Sequence, residues 1–198
     1  MTPQAIVDIW DKEAKRSTDM GTIWHNHLEA KFISAGKLNM FGKDLEVFAP
    51  MYTDTGDKIS FSQTLYEGVH PEYLMYLRLR DGFGLCGQSD FPVFVGNTLH
   101  ISDHKSNKEI KDTNPWAKMK YPFDNLDDCN LNHYAVQLSL YAWIAKQNNP
   151  DITIGKLQIS HYQFKRAGVD VYGFPIIETS GGLPVVENVT KYPLPYLE

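Results

Sequence analysis

Residues 85–105 read LCGQSDFPVFVGNTLHISDHK and contain the clearest structural signal in the chain. Gly96 and Asn97 tolerate the positive φ of a tight two-residue turn, and the segments on either side have strand-like sequences. The sequence therefore predicts a β-hairpin in which residues 85–95 pair with residues 98–105.

Two carboxylates and one amine converge on this predicted hairpin. Asp103 and Lys105 are two residues apart on a strand, so their side chains project from the same face. Asp90 lies on the preceding strand, and the short turn lets its carboxylate approach Asp103 across the pair. Carboxylates held this close repel each other unless a hard divalent cation neutralises them. We therefore expect Mg²⁺ or Mn²⁺ held by Asp90, Asp103 and the backbone carbonyl of His104.

The amine of Lys105 has three roles open to it beside such a cation. It can orient a bound water, deprotonate that water, or stabilise the negative charge that develops on a phosphodiester. Glu67, which precedes the hairpin, is a further acidic side chain. It either joins the metal as an additional ligand or ends the strand before it.

The rest of the chain predicts a mixed α/β layer. Apolar residues at helical spacing predict helices over 2–16, 22–35 (ending at Gly36) and 132–147. Period-2 alternation predicts strands over 59–65, 156–164 and 169–177, the last followed by a Gly-Gly-Leu-Pro tail. Residues 38–58 are an irregular or hairpin segment, residues 72–80 a helix or edge strand, and residues 107–128 a long polar loop. Nucleotide-binding glycine motifs are absent from the sequence.

Further motifs occur before and after the hairpin in the sequence. Gly87-x-x-Asp90, Asp103-x-Lys105 and Gln137-x-x-x-Tyr141 match the motif set of RecB-type nucleases in order and spacing. Upstream, residues 21–29 read GTIWHNHLE and are similar to the G-T-x-x-H-x-x-L-E helix of that family. Over about residues 20–165, the chain thus resembles the RecB-like branch of the PD-(D/E)XK nuclease superfamily.

This resemblance implies a fold and a set of site residues. The fold is a restriction-endonuclease-like α/β core, a central mixed β-sheet flanked by helices, in one domain over 1–198 with N-terminal helix and C-terminal strand and tail additions. The resemblance makes His25 a metal ligand and puts Gln137 and Tyr141 near the active site and the nucleic acid. It implies one or two Mg²⁺ or Mn²⁺ ions. The cysteine quartet of the cluster-bearing subfamilies is missing, so we expect no iron–sulfur cluster.

The implied activity is hydrolysis of phosphodiester bonds in DNA by a metal-dependent nuclease. The expected role is that of an exonuclease or end-processing enzyme in replication, recombination or repair, of the kind that phages encode. A structure- or site-specific endonuclease on the same fold and a non-catalytic nucleic-acid-binding module are the alternatives. No helicase motif is present, so a helicase, recombinase or single-strand-binding partner would be a separate chain, and assembly into a homo-oligomer stays open.

The net charge and composition of the chain limit where it could bind DNA. A net charge of -5 and a pI near 5.8 lack the general basicity of nucleic-acid binders, so DNA contact must be local. The polar loop supplies a candidate phosphate track with an aromatic for stacking on single-stranded bases, namely Lys108, Lys111, Trp116, Lys118 and Lys120. A charge-rich loop is also commonly just solvated.

The expected location is the cytoplasm of a bacterial or phage-infected cell. Two cysteines are too few for a disulfide framework, which fits a reducing compartment. The chain has no apolar run near the roughly 20 residues that cross a bilayer. Acidic residues occur early, where a signal peptide would avoid them.

Overall fold

The computed structural model describes residues 2–60 and 62–197, and the chain forms a mixed α/β fold. Two helices and fifteen strands lie within these ranges. Their bounds are α1 Pro3–Ala35, β1 Lys37–Met40, β2 Lys43–Glu46, β3 Met51–Tyr52, β4 Lys58–Ile59, β5 Gly68–Val69, β6 Tyr73–Arg78, β7 Gly84–Ser89, β8 Phe91–Val95, β9 Thr98–Lys105, α2 Asn130–Asn148, β10 Thr153–Phe164, β11 Arg166–Val169, β12 Pro175–Ile177, β13 Thr179–Ser180, β14 Leu183–Pro184 and β15 Val186–Leu194.

A five-stranded mixed sheet forms the centre, in the order β15-β10-β9-β8-β5. Strands β9 and β10 run parallel, and the other neighbouring pairs are antiparallel. The predicted hairpin is confirmed, because β8 pairs with β9 around Gly96 and Asn97, whose φ angles are 55° and 64°. A parallel pair needs a crossover, and α2 provides it between β9 and β10.

Apolar side chains cover both faces of this sheet. Leu99 and Ile101 of β9 and Leu157 and Ile159 of β10 are buried in one cluster with Leu138 of α2. A second cluster joins strands β2, β5 and β8 and packs against α1 and β1, through Leu45, Val69, Phe91, Val93 and Val95 with Phe32 and Leu38 at its edge. Alternation along β9 then puts Asp103 on the α2 side and His104 on the α1 side.

The N-terminal region forms one helix of 33 residues rather than the two predicted helices. Thr2 caps its start by accepting a hydrogen bond from the Ala5 amide at 3.2 Å, and Gly36 ends it with φ 65° as the sequence predicts. The polar stretch between the two predicted helices contains no proline, so the backbone hydrogen bonds continue through it. Gly21 sits in mid-helix, where an added Cβ would lie 2.9 Å from Ser106 Oγ, so it allows the loop after β9 to approach.

The strand predicted over 59–65 is wrong for the residues that the structure describes. Only Lys58–Ile59 pairs there, with Met51–Tyr52, and Phe61 lies outside the described residues. Beyond it the Leu65 amide donates to the side chain of Asn149 at 3.0 Å, and Gln63 hydrogen-bonds to the backbone of β6. Side chains thus satisfy backbone groups that a strand partner would otherwise pair.

The strand predicted over 85–95 is divided at Asp90. Before that residue β7 pairs with β6, and after it β8 joins the central sheet. The segment 72–80 is therefore mainly a strand, Tyr73–Arg78, one of the two forms predicted for it. The chain changes partner at Asp90, which leaves that residue at the end of the central sheet.

The C-terminal region contains more structure than the sequence predicts. Residues 169–177 are not one strand: β11 and β12 pair in a hairpin whose turn is held by Asp170, which accepts from the amides of Tyr172 and Phe174. The predicted Gly-Gly-Leu-Pro tail is the turn and second strand of the β13–β14 hairpin, and the residues after it form β15, which pairs along β10 at the edge of the central sheet. Within the described residues, neither helix is both long and apolar enough to span a membrane.

Candidate metal centre and adjoining groove

Asp90 and Asp103 lie across from each other at the end of the β8–β9 hairpin. The last residues paired there are Phe91 and Ser102, and the two aspartates are the next residue on each strand. The Asp90 carboxylate accepts a hydrogen bond from the His104 amide at 2.7 Å, which holds it against the end of β9. The hairpin turn and the strand register therefore bring the two carboxylates to one point.

Lys105 lies beside Asp103 on the same face of β9. The Lys105 Nζ is 2.5 Å from Asp103 Oδ2 and 5.0 Å from the centroid of the Tyr134 ring on α2. Burial acts to lower the pKa of Lys105, but the Asp103 carboxylate and then Asp90 outweigh it and raise that pKa above its ordinary value. Lys105 is therefore a cation at neutral pH.

The Asp90 carboxyl is placed where its negative charge is costly. Burial, then the neighbouring Asp103 charge, raises the pKa of Asp90 to about 8, although the His104 amide and Lys105 act in the opposite direction. Asp103 is 1% exposed, and its Oδ2 accepts no hydrogen bond of good geometry despite the nearby Lys105 amine. Two buried carboxylates this close repel each other, and a hard divalent cation would relieve that repulsion.

Among the described residues, the side chains grouped closely enough to share one ion are those of His25, Glu72 and Asp90, here called the cluster; Asp103 is outside this group. His25, on α1, has its Nδ1 3.5 Å from Asp90 Oδ2. His25, Glu72 and Asp90 each offer one atom that could hold a metal ion, and these atoms all lie within 4.8 Å of one another. The Glu72 amide donates to the Asp90 carbonyl at 2.9 Å. This hydrogen bond extends the β6–β7 ladder by one residue and places Glu72 beside Asp90.

Sequence reasoning missed Glu72, although a signal for it exists. The pairing of Tyr73 with Ser89 sets Glu72 beside Asp90, and that pairing could have been read from two strand-like segments around Gly82. Glu67, the acid that the sequence offers as a further ligand, lies elsewhere. Its carboxylate is 2.7 Å from Lys43 and accepts from the Gly96 amide in the hairpin turn, about 20 Å of extended chain from Asp90. Glu67 is therefore a surface residue, and the prediction that it is an additional metal ligand is corrected.

A network of hydrogen bonds and ion pairs holds Glu72. Lys58 Nζ lies 3.1 Å from Glu72 and 3.3 Å from Glu29, the acid four residues after His25 on α1. The Gln88 side chain also donates to Glu72. The hydroxyl of Tyr52 donates to Glu29 at 2.7 Å, and burial followed by this contact raises the pKa of Tyr52 to about 12. Lys58 thus balances two acids beside the cluster.

The imidazole ring of His104 packs in the core beside the candidate metal centre. The ring is buried against Phe32 and Phe91, and neither of its nitrogens has a hydrogen-bond partner. Burial, followed by the neighbouring charges of His25 and Lys105, lowers the pKa of His104 to about 3. The ring is therefore neutral, while the amide of His104 positions Asp90 and its carbonyl stays a predicted ligand.

Gln137 and Tyr141 lie together on α2 and face β7. Gln137 donates to the Tyr141 hydroxyl at 2.9 Å. The Tyr141 ring covers Gly87, where an added Cβ would lie 2.4 Å from a ring carbon. Two of the sequence motifs, Gly87-x-x-Asp90 and Gln137-x-x-x-Tyr141, therefore meet in one contact that fixes the strand leading to Asp90.

The loop residues predicted to bind DNA have different surroundings. Lys118 is 2.5 Å from Asp127, and Lys111 is 3.3 Å from Glu109, so both are neutralised locally. The Trp116 ring is 93% exposed, and Lys120 has no ion-pair partner in the described part of the chain. Of the five predicted residues, only Lys108 lines a cavity near the cluster.

A groove leads away from the cluster along α1. Its first part is a cleft of about 460 Å³ lined by His25, by residues of the α1 turns before it, and by Ser106 and Asn107 after β9. The cleft shares Ser17, Ser106 and Asn107 with a larger cavity of about 720 Å³ that is walled by α1, β10 and the β11–β12 hairpin. The cleft that contains His25 and the larger cavity therefore adjoin each other.

Comparison of the chain with protein-family models, with curated proteins and with solved structures finds no match in any of the three. The resemblance to RecB-type nucleases therefore depends on the motifs in the sequence. The class that this fold and cluster define is a mixed α/β protein with a candidate metal centre at one end of its central sheet.

Proposed function

We propose that this chain is a Mg²⁺- or Mn²⁺-dependent DNA nuclease with a restriction-endonuclease-like core, in the RecB-like branch of the PD-(D/E)XK superfamily. One observation carries the proposal: Asp90, Asp103 and Lys105 converge at the end of one hairpin, with His25 of α1 in contact with Asp90. A mixed sheet with a helical crossover between parallel strands is consistent with that core.

The residues divide the work of phosphodiester hydrolysis. His25, Glu72 and Asp90 would hold the ion, and Asp103, the neighbour of Asp90 at the end of the hairpin, would be a further ligand. A divalent ion in such a site polarises a phosphodiester and lowers the pKa of a bound water. Lys105 is cationic, so its role is to orient the attacking water and to stabilise negative charge on the phosphate, not to accept the first proton.

The groove beside His25 supports the proposed substrate class. A groove that begins at His25 and continues into a cavity suits a strand that is threaded along the surface, which favours an exonuclease or end-processing activity. Such an activity belongs to DNA replication, recombination or repair, in a bacterial or phage setting. A helicase, recombinase or single-strand-binding protein would then be a separate partner.

The direct test is digestion of end-labelled single- and double-stranded DNA with Mg²⁺ or Mn²⁺. The wild type should degrade labelled DNA, and Asp103→Asn and Lys105→Met should each lose at least about a hundredfold in rate, the cost typical of removing a preorganised charge. Asp54→Asn and Lys12→Met are matched controls, because both side chains are exposed and neither belongs to the candidate metal-ligand group.

Two outcomes of this digestion would count against the proposal. Equal rates in the wild type and in both site variants would remove the catalytic assignment. Cleavage of covalently closed circular DNA as fast as linear DNA would keep the nuclease and replace the end-processing role with an endonuclease.

The proposed phosphate track has its own test. Neutralising Lys108, Lys111 and Lys118 together should weaken DNA binding and reduce the slope of log affinity against log salt. Because Lys111 and Lys118 already have acidic partners, we expect Lys108 to account for most of the effect. An unchanged salt slope would contradict the track.

A further inference from the structure

A cavity between α1 and the β11–β12 hairpin is lined by none of the residues of the candidate metal-ligand group. Its volume of about 720 Å³ falls within the range of about 300–1,000 Å³ typical of ligand sites. Its apolar wall includes Phe164 of β10 and Phe174, Pro175 and Ile177 of the hairpin. These residues are half-buried, so their apolar surfaces still face the cavity.

One aromatic ring in this wall is free to stack. Phe164 packs edge-on against Trp24, with ring centroids 5.9 Å apart. Phe174 makes no ring–ring contact with any described residue, while its backbone is held by Asp170. An aromatic ring in a cavity wall that no other described ring contacts is the kind of platform on which nucleic-acid bases stack.

The charge at the cavity is locally positive even though the chain is acidic. Arg16 and Lys165 line it, but each is paired, Arg16 with Glu13 at 2.6 Å and Lys165 with Glu178 at 2.9 Å. Lys108 and Arg166 also line it, and neither has an ion-pair partner in the parts of the chain that the structure describes. Against them stands the cavity's remaining acid, Glu187, so the unpaired charge favours an anion.

The cavity is joined to the candidate metal centre by the groove. Ser17, Ser106 and Asn107 line both the cavity and the cleft that contains His25. Along α1, Arg16 and His25 are nine residues apart, about 14 Å at about 1.5 Å per residue. This is roughly four steps of a stacked strand at about 3.4 Å each.

We propose that this cavity is a subsite for an unpaired base of the DNA strand, a few nucleotides from the phosphate that is cleaved. Phe174 stacks on the base, and Lys108 and Arg166 contact the phosphates beside it. The inference depends on the proposed function for its ligand and deepens it, because it assigns the preferred substrate as DNA with a single-stranded end. Fully paired duplex would have to release a base to fill the subsite.

Binding of fluorescent oligonucleotides in EDTA tests this proposal without requiring cleavage. A 12-nucleotide single strand carries 2-aminopurine, whose fluorescence falls on stacking, at successive positions from one end. In the wild type we expect quenching at one or two adjacent positions. Phe174→Ala should remove that quenching and weaken binding by about 5- to 150-fold, the range of aromatic stacking. Phe174→Leu, which keeps most of the side-chain volume but has no ring to stack, should have the same effect.

Tyr172→Ala is the matched control, because Tyr172 is an exposed aromatic on the same turn that does not line the cavity. It should bind like the wild type. Equal binding and quenching in all four proteins would overturn the subsite, and so would absence of single-strand binding by the wild type. If the quenching depends on Phe174 but labelled DNA is not digested, the subsite stands and the nuclease assignment fails. If DNA is digested and Phe174 has no effect, the nuclease assignment stands alone.

Discussion

Replacing Asp90 by asparagine should stabilise the metal-free protein while it removes activity. Burial and the adjacent Asp103 raise the pKa of Asp90 from 3.8 to about 8, and its side chain is only 12% exposed. Asparagine keeps an oxygen that can accept from the His104 amide but carries no charge. The substitution therefore removes the cost of a buried like charge and retains the hydrogen bond.

The size and the pH dependence of this effect follow from proton linkage. Between pH 4 and 8 the unfolded chain gives up the Asp90 proton while the folded chain keeps it, so the wild type loses stability as pH rises. A shift of about four pKa units corresponds to about 4 kcal/mol at pH 7, and relaxation around the charge reduces this. We expect Asp90→Asn to gain about 2–4 kcal/mol at pH 8 and little at pH 4.

Urea unfolding in EDTA at pH 4.5, 6 and 8 measures this difference, with Asp54→Asn as the control for losing an exposed carboxylate. The gap between Asp90→Asn and the wild type should widen steadily with pH. Mg²⁺ should close the gap by stabilising the wild type alone, since the variant lacks a ligand. A variant that is no more stable than the wild type at pH 8, or a gap that does not change with pH, would refute the reasoning.

Three further predictions concern packing, buried histidine and metal. Gly87→Ala should lower the free energy of unfolding by about 1–3 kcal/mol, because the new Cβ would overlap the Tyr141 ring. Gly168→Ala on β11 is the control: its Cβ would have no neighbour within 4 Å, so the melting temperature should stay almost unchanged. Burial lowers the pKa of His70, so the free energy of unfolding should decrease as the pH falls from about 6.5, by up to about 1.4 kcal/mol per pH unit. In acid unfolding, His70→Gln should show a shallower dependence of stability on pH. Mg²⁺ at a hundred times its Kd should stabilise the wild type by about 2.7 kcal/mol in calorimetry, reversibly on adding EDTA, and no shift would contradict a folded metal site.

The sequence predicts the parts of this fold that local patterns determine. Gly96 and Asn97 specify a turn, and the turn sets the register that brings Asp90 opposite Asp103. The helical spacing in α2 likewise predicts an element close to its observed bounds. In these cases the information lies within a few residues of where it is used.

Other parts depend on contacts between distant segments. Strand β15 is recognisable only by its partner β10, because its alternation is interrupted by Pro193 and follows glycine-rich turns. Glu67 lies away from the cluster because its carboxylate contacts Lys43 of β2 and the Gly96 amide, and the sequence does not predict either contact. Long-range pairing of this kind leaves no periodicity in a single chain.

Diffraction from crystals soaked in Mn²⁺, collected at the manganese absorption edge, tests the metal centre most directly. We expect one dominant anomalous peak within coordination distance of the Asp90 and Asp103 carboxylates, with Lys105 beside it and His25 on its α1 side. The same peak should vanish in Asp103→Asn crystals. A dominant peak elsewhere, or none in the wild type at millimolar Mn²⁺, would contradict it.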